Sequence, residues 1–307
     1  MNYLVVDFEF TFYKRPVGRP RNFFAEIIEI GAVKLDGETM VEAGKLHLDD
    51  DFGKLMGFPI RNPKFPETVI TLKMVLSHTS SINDSQGYFN LDAINPATNA
   101  NWAKCYNDYE PGKGYQYCNL NFNMVGAVIE KQTGERFDNY IKEHIIDPLG
   151  LYAGYWVDAL DANRFATLYE YDKVARRLVA SPMAYANRRE EIANYVMGKT
   201  TPIFSPTGGM KISAPDLAKY MMMHMNYGKY EHGRIISKKS AKLMQTKLSE
   251  EEGYGLALLE TDKLIPGLLM HGHTGSAYGL YSGMFFHPQD KFGIVVITNG
   301  CKASYTN

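Results

Sequence analysis

Two short runs carry side chains whose types and spacing suit acid–base and ligand-holding chemistry. Tyr117-Cys118-Asn119 sets a phenol two residues before a carboxamide, and His271-Gly272-His273-Thr274-Gly275-Ser276 sets two imidazoles on one face of a strand-like run. A phenol with a pKa near ~10 is a base at neutral pH only where an adjacent cation favours the phenolate. A carboxamide such as that of Asn119 both donates and accepts hydrogen bonds, which suits a ligand-holding role. Gly275 lets a ligand approach the backbone. His271 and His273 are a conceivable metal pair, but no third ligand stands nearby in the sequence, so no metal and no other cofactor is expected. Asp7 and Glu9 form a separate pair: alternate strand positions share a face, and hard carboxylate oxygens there can reach one Mg²⁺ or Mn²⁺.

These groups need elements to hold them. Tyr3 to Phe10 and Ile27 to Leu35 read as strands, separated by the Pro- and Gly-bearing loop Lys14 to Asn22 and closed by Asp36-Gly37. Glu38 to Lys45 suits one or two helical turns ending at Gly44. Ile70 to Ser77 has helical spacing. Leu120 to Thr133 reads as an amphipathic helix stopped by Gly134. Ser213-Ala214-Pro215-Asp216 opens a helix running to about Asn226, with Ser213 as cap, Pro in the first turn and Asp216 near the positive end. Its Met221-Met222-Met223 cluster is core filler. Met284 to Phe286 and Phe292 to Thr298 read as late strands around a Pro288-Gln289-Asp290 turn.

The composition is that of an ordinary globular protein: 45% of the 307 residues are hydrophobic and 22% charged, which suffices for a sizeable core. A net charge of -1 gives no global electrostatic case for nucleic acid or an anionic membrane. Cys105, Cys118 and Cys301 show no C-x-x-C spacing and read as reduced or buried thiols, a Cys105–Cys118 bridge being the alternative. No apolar run is long enough to span a bilayer, and Met1 to Asp7 lacks the basic and apolar regions of a signal peptide. As written, the chain is expected in the cytoplasm.

Five blocks in order resemble the serine β-lactamase/penicillin-binding-protein family of the class C type. They are Met40 to Asp51 (end of the nucleophile helix and the turn after it), Thr71 to Asp84 (the helix-then-loop signature ending His-Thr-Ser-Gly, with Ser81 where Gly is usual), Tyr109 to Asn119 (the Pro-Gly turn into Tyr-x-Asn), Ser205 to Ala218 (the Gly-Gly and Asp-Leu-Ala block), and Gly272 to Gly279 (the His-Thr-Gly strand). The resemblance covers roughly residues 40–307. It implies an α+β fold, an antiparallel sheet flanked by helices beside a helical lobe, with the N-terminal nucleophile helix truncated here. It also implies hydrolysis of an amide, ester or β-lactam through an acyl-enzyme, on a small-molecule or peptide substrate. Relatives are usually exported.

By the same resemblance Tyr117 is the proton relay and Asn119 holds the substrate. Thr274 and Gly275 line the cleft, and the Ser276 N–H donates to the oxyanion. His273 stands where many β-lactamases carry Lys, which points toward carboxypeptidase-, aminopeptidase- or esterase-like relatives. Taken alone, Tyr117 would read as a half-buried tyrosine with a satisfied hydroxyl; inside five ordered blocks it reads as functional. The nucleophile is the difficulty. Nowhere does a Ser sit three residues before a Lys. Counting back from Gly44 by the family's usual helix length places the Ser near Ile27 and the Lys near Ile30, where neither residue can act. Ser77, Ser80, Ser81 and Ser205 read as cap or turn residues. Catalysis is expected to be impaired, with a non-catalytic ligand-binding pseudoenzyme as the alternative.

Residues 1–39 read as a separate hairpin fragment. Val5 to Thr11 (VVDFEFT) with Phe23 to Lys34 (FFAEIIEIGAVK) resembles the start of a DEDD-type 3′–5′ exonuclease, and Asp7 and Glu9 match that family's first acidic motif. That chemistry needs two more Asp residues and a general-base His from later motifs, and that body is absent. Asp7 and Glu9 are therefore read as solvated strand residues. Gly18-Arg19-Pro20-Arg21 echoes a minor-groove hook, but a solvated loop fits better, and no nucleic-acid partner is expected.

Overall fold

Helix α3 (Asn119–Thr133) is the centre of the helical lobe, and every residue from Leu120 to Glu130 is buried. The amphipathic reading is thus corrected: this helix has no wet face over those turns, which makes it a core helix. Its polar residues are satisfied internally. Asn121 Nδ2 donates to the Val75 carbonyl and shares contacts with Ser80, Asn123 Nδ2 donates to the Tyr88 carbonyl, and Glu130 accepts from Phe137 N, Gly198 N, the Thr201 hydroxyl and the Tyr195 hydroxyl. Buried polar groups persist where they are paired in this way. The short helices α1 (Phe52–Met56) and α2 (Leu72–Leu76) pack against α3, and α4 (Phe137–Ile141) follows the left-handed stop at Gly134, φ 74.

The structure is a computed structural model that describes residues 25–27 and 46–300. The Asp7/Glu9 pair, the 14–22 loop with its hook-like run, the helical turns expected over 38–45 and Cys301 lie outside the described residues. The described strand β1 (Ala25–Ile27) meets the expected second strand, Ile27 to Leu35, only at Ile27; the rest of that expectation lies outside the described residues. It pairs antiparallel with β5 (Met210–Ile212), which also pairs with β2 (Ala153–Gly154), giving the order β1-β5-β2.

The second sheet runs β11-β10-β9-β8, all antiparallel, from β8 (Leu259–Thr261), β9 (Met270–Ala277), β10 (Leu280–His287) and β11 (Phe292–Ile297). The expected Pro288-Gln289-Asp290 turn is there, with Asp290 N donating to His287 Nδ1 (3.2 Å). Helix α6 (Ala214–Met225) lies across β10 and β11. It starts as its residue types dictate: Ser213 Oγ accepts from Asp216 N (3.3 Å). Met221 and Met223 are buried in the core beneath it, as expected of filler. Two exposed hairpins, β3–β4 (Tyr169–Asp172, Arg177–Ala180) and β6–β7 (Lys229–Tyr230, Gly233–Arg234), and helices α5 (Arg189–Ala193) and α7 (Lys238–Met244) complete the α+β architecture. No helix among the described residues is long and apolar enough to cross a membrane.

Candidate functional site

The loop after α2 turns by two left-handed residues, His78 (φ 57) and Ser81 (φ 63). At Ser81 the resembled family carries Gly, and the backbone explains that preference: a positive φ costs a side-chain-bearing residue but not glycine. The Ser81 hydroxyl accepts from Asn62 Nδ2 (3.0 Å), which ties the turn down. His78 is fully buried. Its Nδ1 accepts the Cys118 N–H (3.1 Å), its carbonyl accepts the Gln116 N–H (2.9 Å), and the Thr79 carbonyl accepts the Gly112 N–H (2.8 Å). The segment entering α3 is thereby stitched to this loop.

That stitching places Tyr117. Its ring packs on His78 with centroids 4.3 Å apart and lies 6.1 Å from the His273 ring. Tyr254 closes the group: its ring meets His78 edge-on at 4.9 Å, and its hydroxyl lies 3.1 Å from His273 Nε2. His273 Nδ1 lies 2.6 Å from the Thr274 carbonyl. A carbonyl only accepts, so Nδ1 carries a proton, and in the neutral ring Nε2 accepts from Tyr254. Tyr117 and His273, far apart in sequence, are thus neighbours in space.

Asn119 is placed differently from the open ligand-holder its residue type suggests. Its Nδ2 donates to Asp84 Oδ2 (2.8 Å) and its Oδ1 accepts from the Thr207 hydroxyl (2.9 Å). A ligand amide at Asn119 would have to displace one of them. Asp84 also accepts from Asn119 N (2.9 Å), Leu120 N (2.9 Å) and Cys118 Sγ (3.2 Å), so it caps α3 from a distant loop. Thr207 reaches the helix because of two glycines. A Cβ on Gly126 would sit 2.5 Å from Pro206 Cγ, and one on Gly209 would sit 2.1 Å from the Phe204 carbonyl. Cys105 and Cys118 are buried free thiols; burial first, and then Asp84, pushes Cys105 up to about 11 and Cys118 well above its ordinary value.

Strand β9 carries His273. Strand β8 covers it only from Met270 to Gly272, and beyond Gly272 no other described strand pairs with that edge. Thr274 and Ser276 are exposed there, with buried Gly275 between them. His271 does not join His273. It is buried beside Phe286 (6.1 Å), and burial, then His287, holds its pKa below the ordinary imidazole value. The one group of three close acidic or imidazole ligands among the described residues is Glu135, Glu143 and His144 in the helical lobe.

The serines near the cleft are committed elsewhere. Ser77 Oγ donates to the Lys73 carbonyl (2.9 Å), Ser80 Oγ contacts Asn121, and Ser81 Oγ holds Asn62; all three are buried. Sequence reasoning missed His78, Asp84, Thr207 and Tyr254 as site residues. His78 and Asp84 stand inside a quoted block, and Thr207 stands inside another; Tyr254 has no local signal beyond flanking glycines.

A family model described as Beta-lactamase matches residues 38–304. Penicillin-binding protein 4 of Amycolatopsis lactamdurans is 27% identical over 279 residues, 85% of this chain and 68% of that protein. A putative D-alanyl-D-alanine carboxypeptidase of Escherichia coli O157:H7 is 23% identical over 62% of this chain but 46% of its own length. Among solved structures, an octameric penicillin-binding protein homologue from Pyrococcus abyssi superposes with a TM-score of 0.71 at 25% identity, over 92% of this chain and 64% of that one. A D-stereospecific amidohydrolase from Streptomyces sp. gives 0.68 at 22% identity, over 92% and 84%, and shows the shared fold. Several of these proteins are thus spanned over only about half to two thirds of their length. The ordered blocks, the α+β fold and a family match across most of the chain lead to one conclusion: this protein belongs to the Beta-lactamase family, a family of serine hydrolases.

Proposed function

We propose that this chain is a penicillin-recognising serine-hydrolase scaffold whose acyl transfer is absent or severely impaired. The observation that carries the reading is the lack of any Ser three residues before a Lys in the 307 residues. Acyl transfer needs a nucleophile and a base beside it. Here the family's usual helix length puts the Ser near Ile27 and the Lys near Ile30, and Ser77, Ser80 and Ser81 are tied into local hydrogen bonds. Tyr117 and His273 remain candidate acid–base groups. Thr274, Gly275 and Ser276 remain candidate ligand contacts, on an edge of β9 that β8 leaves uncovered. The substrate class the scaffold suits is a peptide or small amide or ester, in keeping with the carboxypeptidase and amidohydrolase names of its relatives.

Incubation with a fluorescent penicillin or a fluorophosphonate, followed by intact mass, tests this. The expected result is an unmodified mass. A stoichiometric acyl-serine adduct overturns the impairment. The proximity of Tyr117, Tyr254 and His273 supports a second reading, a binding module that holds a peptide or amide without turnover; calorimetry showing no binding would remove it. The domain boundary near Met40 belongs to the same proposal, supported by the family match beginning at residue 38. A nuclease assay on single-stranded DNA with Mn²⁺ tests the remaining exonuclease-like reading of residues 1–39. Activity lost in Asp7→Ala would establish it.

A further inference from the structure

We infer that His78 is the positioning residue of the cleft: a buried imidazole, unprotonated at Nδ1, that couples the wall carrying Tyr117 to the wall carrying His273. The inference deepens the proposed site and rests on that reading for the site's identity alone; the geometry behind it is independent of any ligand.

Three observations carry it. First, His78 Nδ1 accepts the Cys118 N–H at 3.1 Å. Cys118 immediately precedes α3, and its N–H has no intrahelical acceptor, so an external one is required. A nitrogen that accepts an N–H has its lone pair directed there, so the ring's proton belongs on Nε2. Second, the same ring is packed between the walls, 4.3 Å from Tyr117 and 4.9 Å from Tyr254, with Phe122 of α3 at 5.1 Å. Tyr254 in turn contacts His273 Nε2 through its hydroxyl at 3.1 Å. One ring therefore fixes where Tyr117 stands and, through Tyr254, where His273 stands. Third, His78 has φ 57 and is fully buried. A left-handed residue is unfavourable for most side chains, and Asn, Asp and His bear it best. A position that must bear this backbone and also supply a side-chain acceptor is met by few residue types. The two imidazoles come out with opposite proton placements, the lone pair on Nδ1 in His78 and the proton on Nδ1 in His273.

The test needs no substrate, so its failure is separate from any failure of the hydrolase reading. In ¹H–¹⁵N spectra of the ligand-free chain, His78 is expected to show a lone-pair Nδ1 and a protonated Nε2. His78→Asn keeps an acceptor oxygen at the position of Nδ1 and tolerates the backbone. His78→Leu removes the acceptor and strains the turn. The Asn variant is expected to keep the Cys118 amide resonance near its parent position, and the Leu variant to shift Cys118, Tyr117 and His273 together. A protonated Nδ1 in the parent chain overturns the inference. So does a Leu variant in which His273 stays put, or an Asn variant that moves the Cys118 amide as far as Leu does. Should the Leu variant fail to fold, the parent spectrum and the Asn variant decide.

Discussion

Asp84 Oδ2 accepts from both the backbone N–H of Asn119 (2.9 Å) and its side-chain Nδ2 (2.8 Å), so one oxygen holds both the start of α3 and the Asn119 carboxamide. The other oxygen takes Leu120 N at 2.9 Å. Removing this carboxylate leaves two first-turn N–H groups without acceptors at the positive end of a 15-residue helix. Asp84→Ala is expected to cost about 2–4 kcal/mol, the range of a lost cap plus stranded donors. Asp84→Asn keeps an acceptor but loses the charge and should cost about half as much. Urea unfolding of both variants measures this. An alanine variant as stable as its parent would mean that water replaces Asp84 without cost.

Ser81 at φ 63 gives a second case, in which two effects oppose. Ser81→Gly relieves about 1 kcal/mol of left-handed strain. Against that it gives up the hydrogen bond from Asn62 and adds chain entropy to the unfolded state, together about 1–2 kcal/mol. Asn62 Nδ2 keeps the Asn107 carbonyl at 2.9 Å, so it is not stranded. The net expectation is a change within about 1 kcal/mol of zero for Gly. Ser81→Val, with a β-branched side chain at positive φ in a fully buried turn, should lose more than about 2 kcal/mol. Thermal melts of the pair check the order; equal stability of Gly and Val would refute the strain argument.

The parts of this fold legible in sequence are those whose partners are local. Ser213 and Asp216 lie three residues apart, so the start of α6 could be read directly. The five blocks in family order named Tyr117 and His273 together, and the structure sets their rings 6.1 Å apart. The wet face expected of α3 failed for the opposite reason. Asn123 meets Thr207 across 84 residues and Glu130 meets Thr201 across 71, distances at which a polar residue in a helix looks solvated. Tyr254 was illegible because its significance is its contact with His273, and nothing in Glu252-Gly253-Tyr254-Gly255 indicates more than a turn.

Glu130 follows from the same point. It is 1% exposed and accepts from Gly198 N (2.6 Å), Thr201 Oγ1 (2.7 Å), Phe137 N (2.8 Å) and the Tyr195 hydroxyl. One carboxylate thus fastens the 195–201 segment and the start of α4 to the core helix. Glu130→Ala strands these donors and is expected to cost about 3–5 kcal/mol, the scale of breaking a buried charged network from one side. The loss should appear first in the 195–201 segment, as faster amide exchange at Gly198 than in β9. Uniform exchange across both regions would argue against a local latch.

His224 sets an acid limit on stability. It is fully buried in α6 with no hydrogen-bond partner on either ring nitrogen among the described residues, and burial alone takes its pKa from 6.5 down to about 3. His271, lowered mainly by burial, acts in the same direction. The folded state keeps His224 neutral, whereas the unfolded chain takes up a proton below about pH 6.5, so between these values the unfolded state binds more protons. Stability from this residue is therefore complete above about pH 6.5 and declines as pH falls toward about 3, by at most about 1.4 kcal/mol per pH unit. His224→Met fills the site between Tyr220 (4.8 Å) and Phe286 (6.3 Å) without a titrating group. It should flatten the pH dependence of the urea midpoint between pH 6.5 and 4.5 while leaving the value at pH 8 unchanged or higher, because an unpaired buried imidazole is removed. An unaltered slope in the variant would show that water or a rearranged neighbour already satisfies His224, and that the acid limit lies elsewhere in the chain.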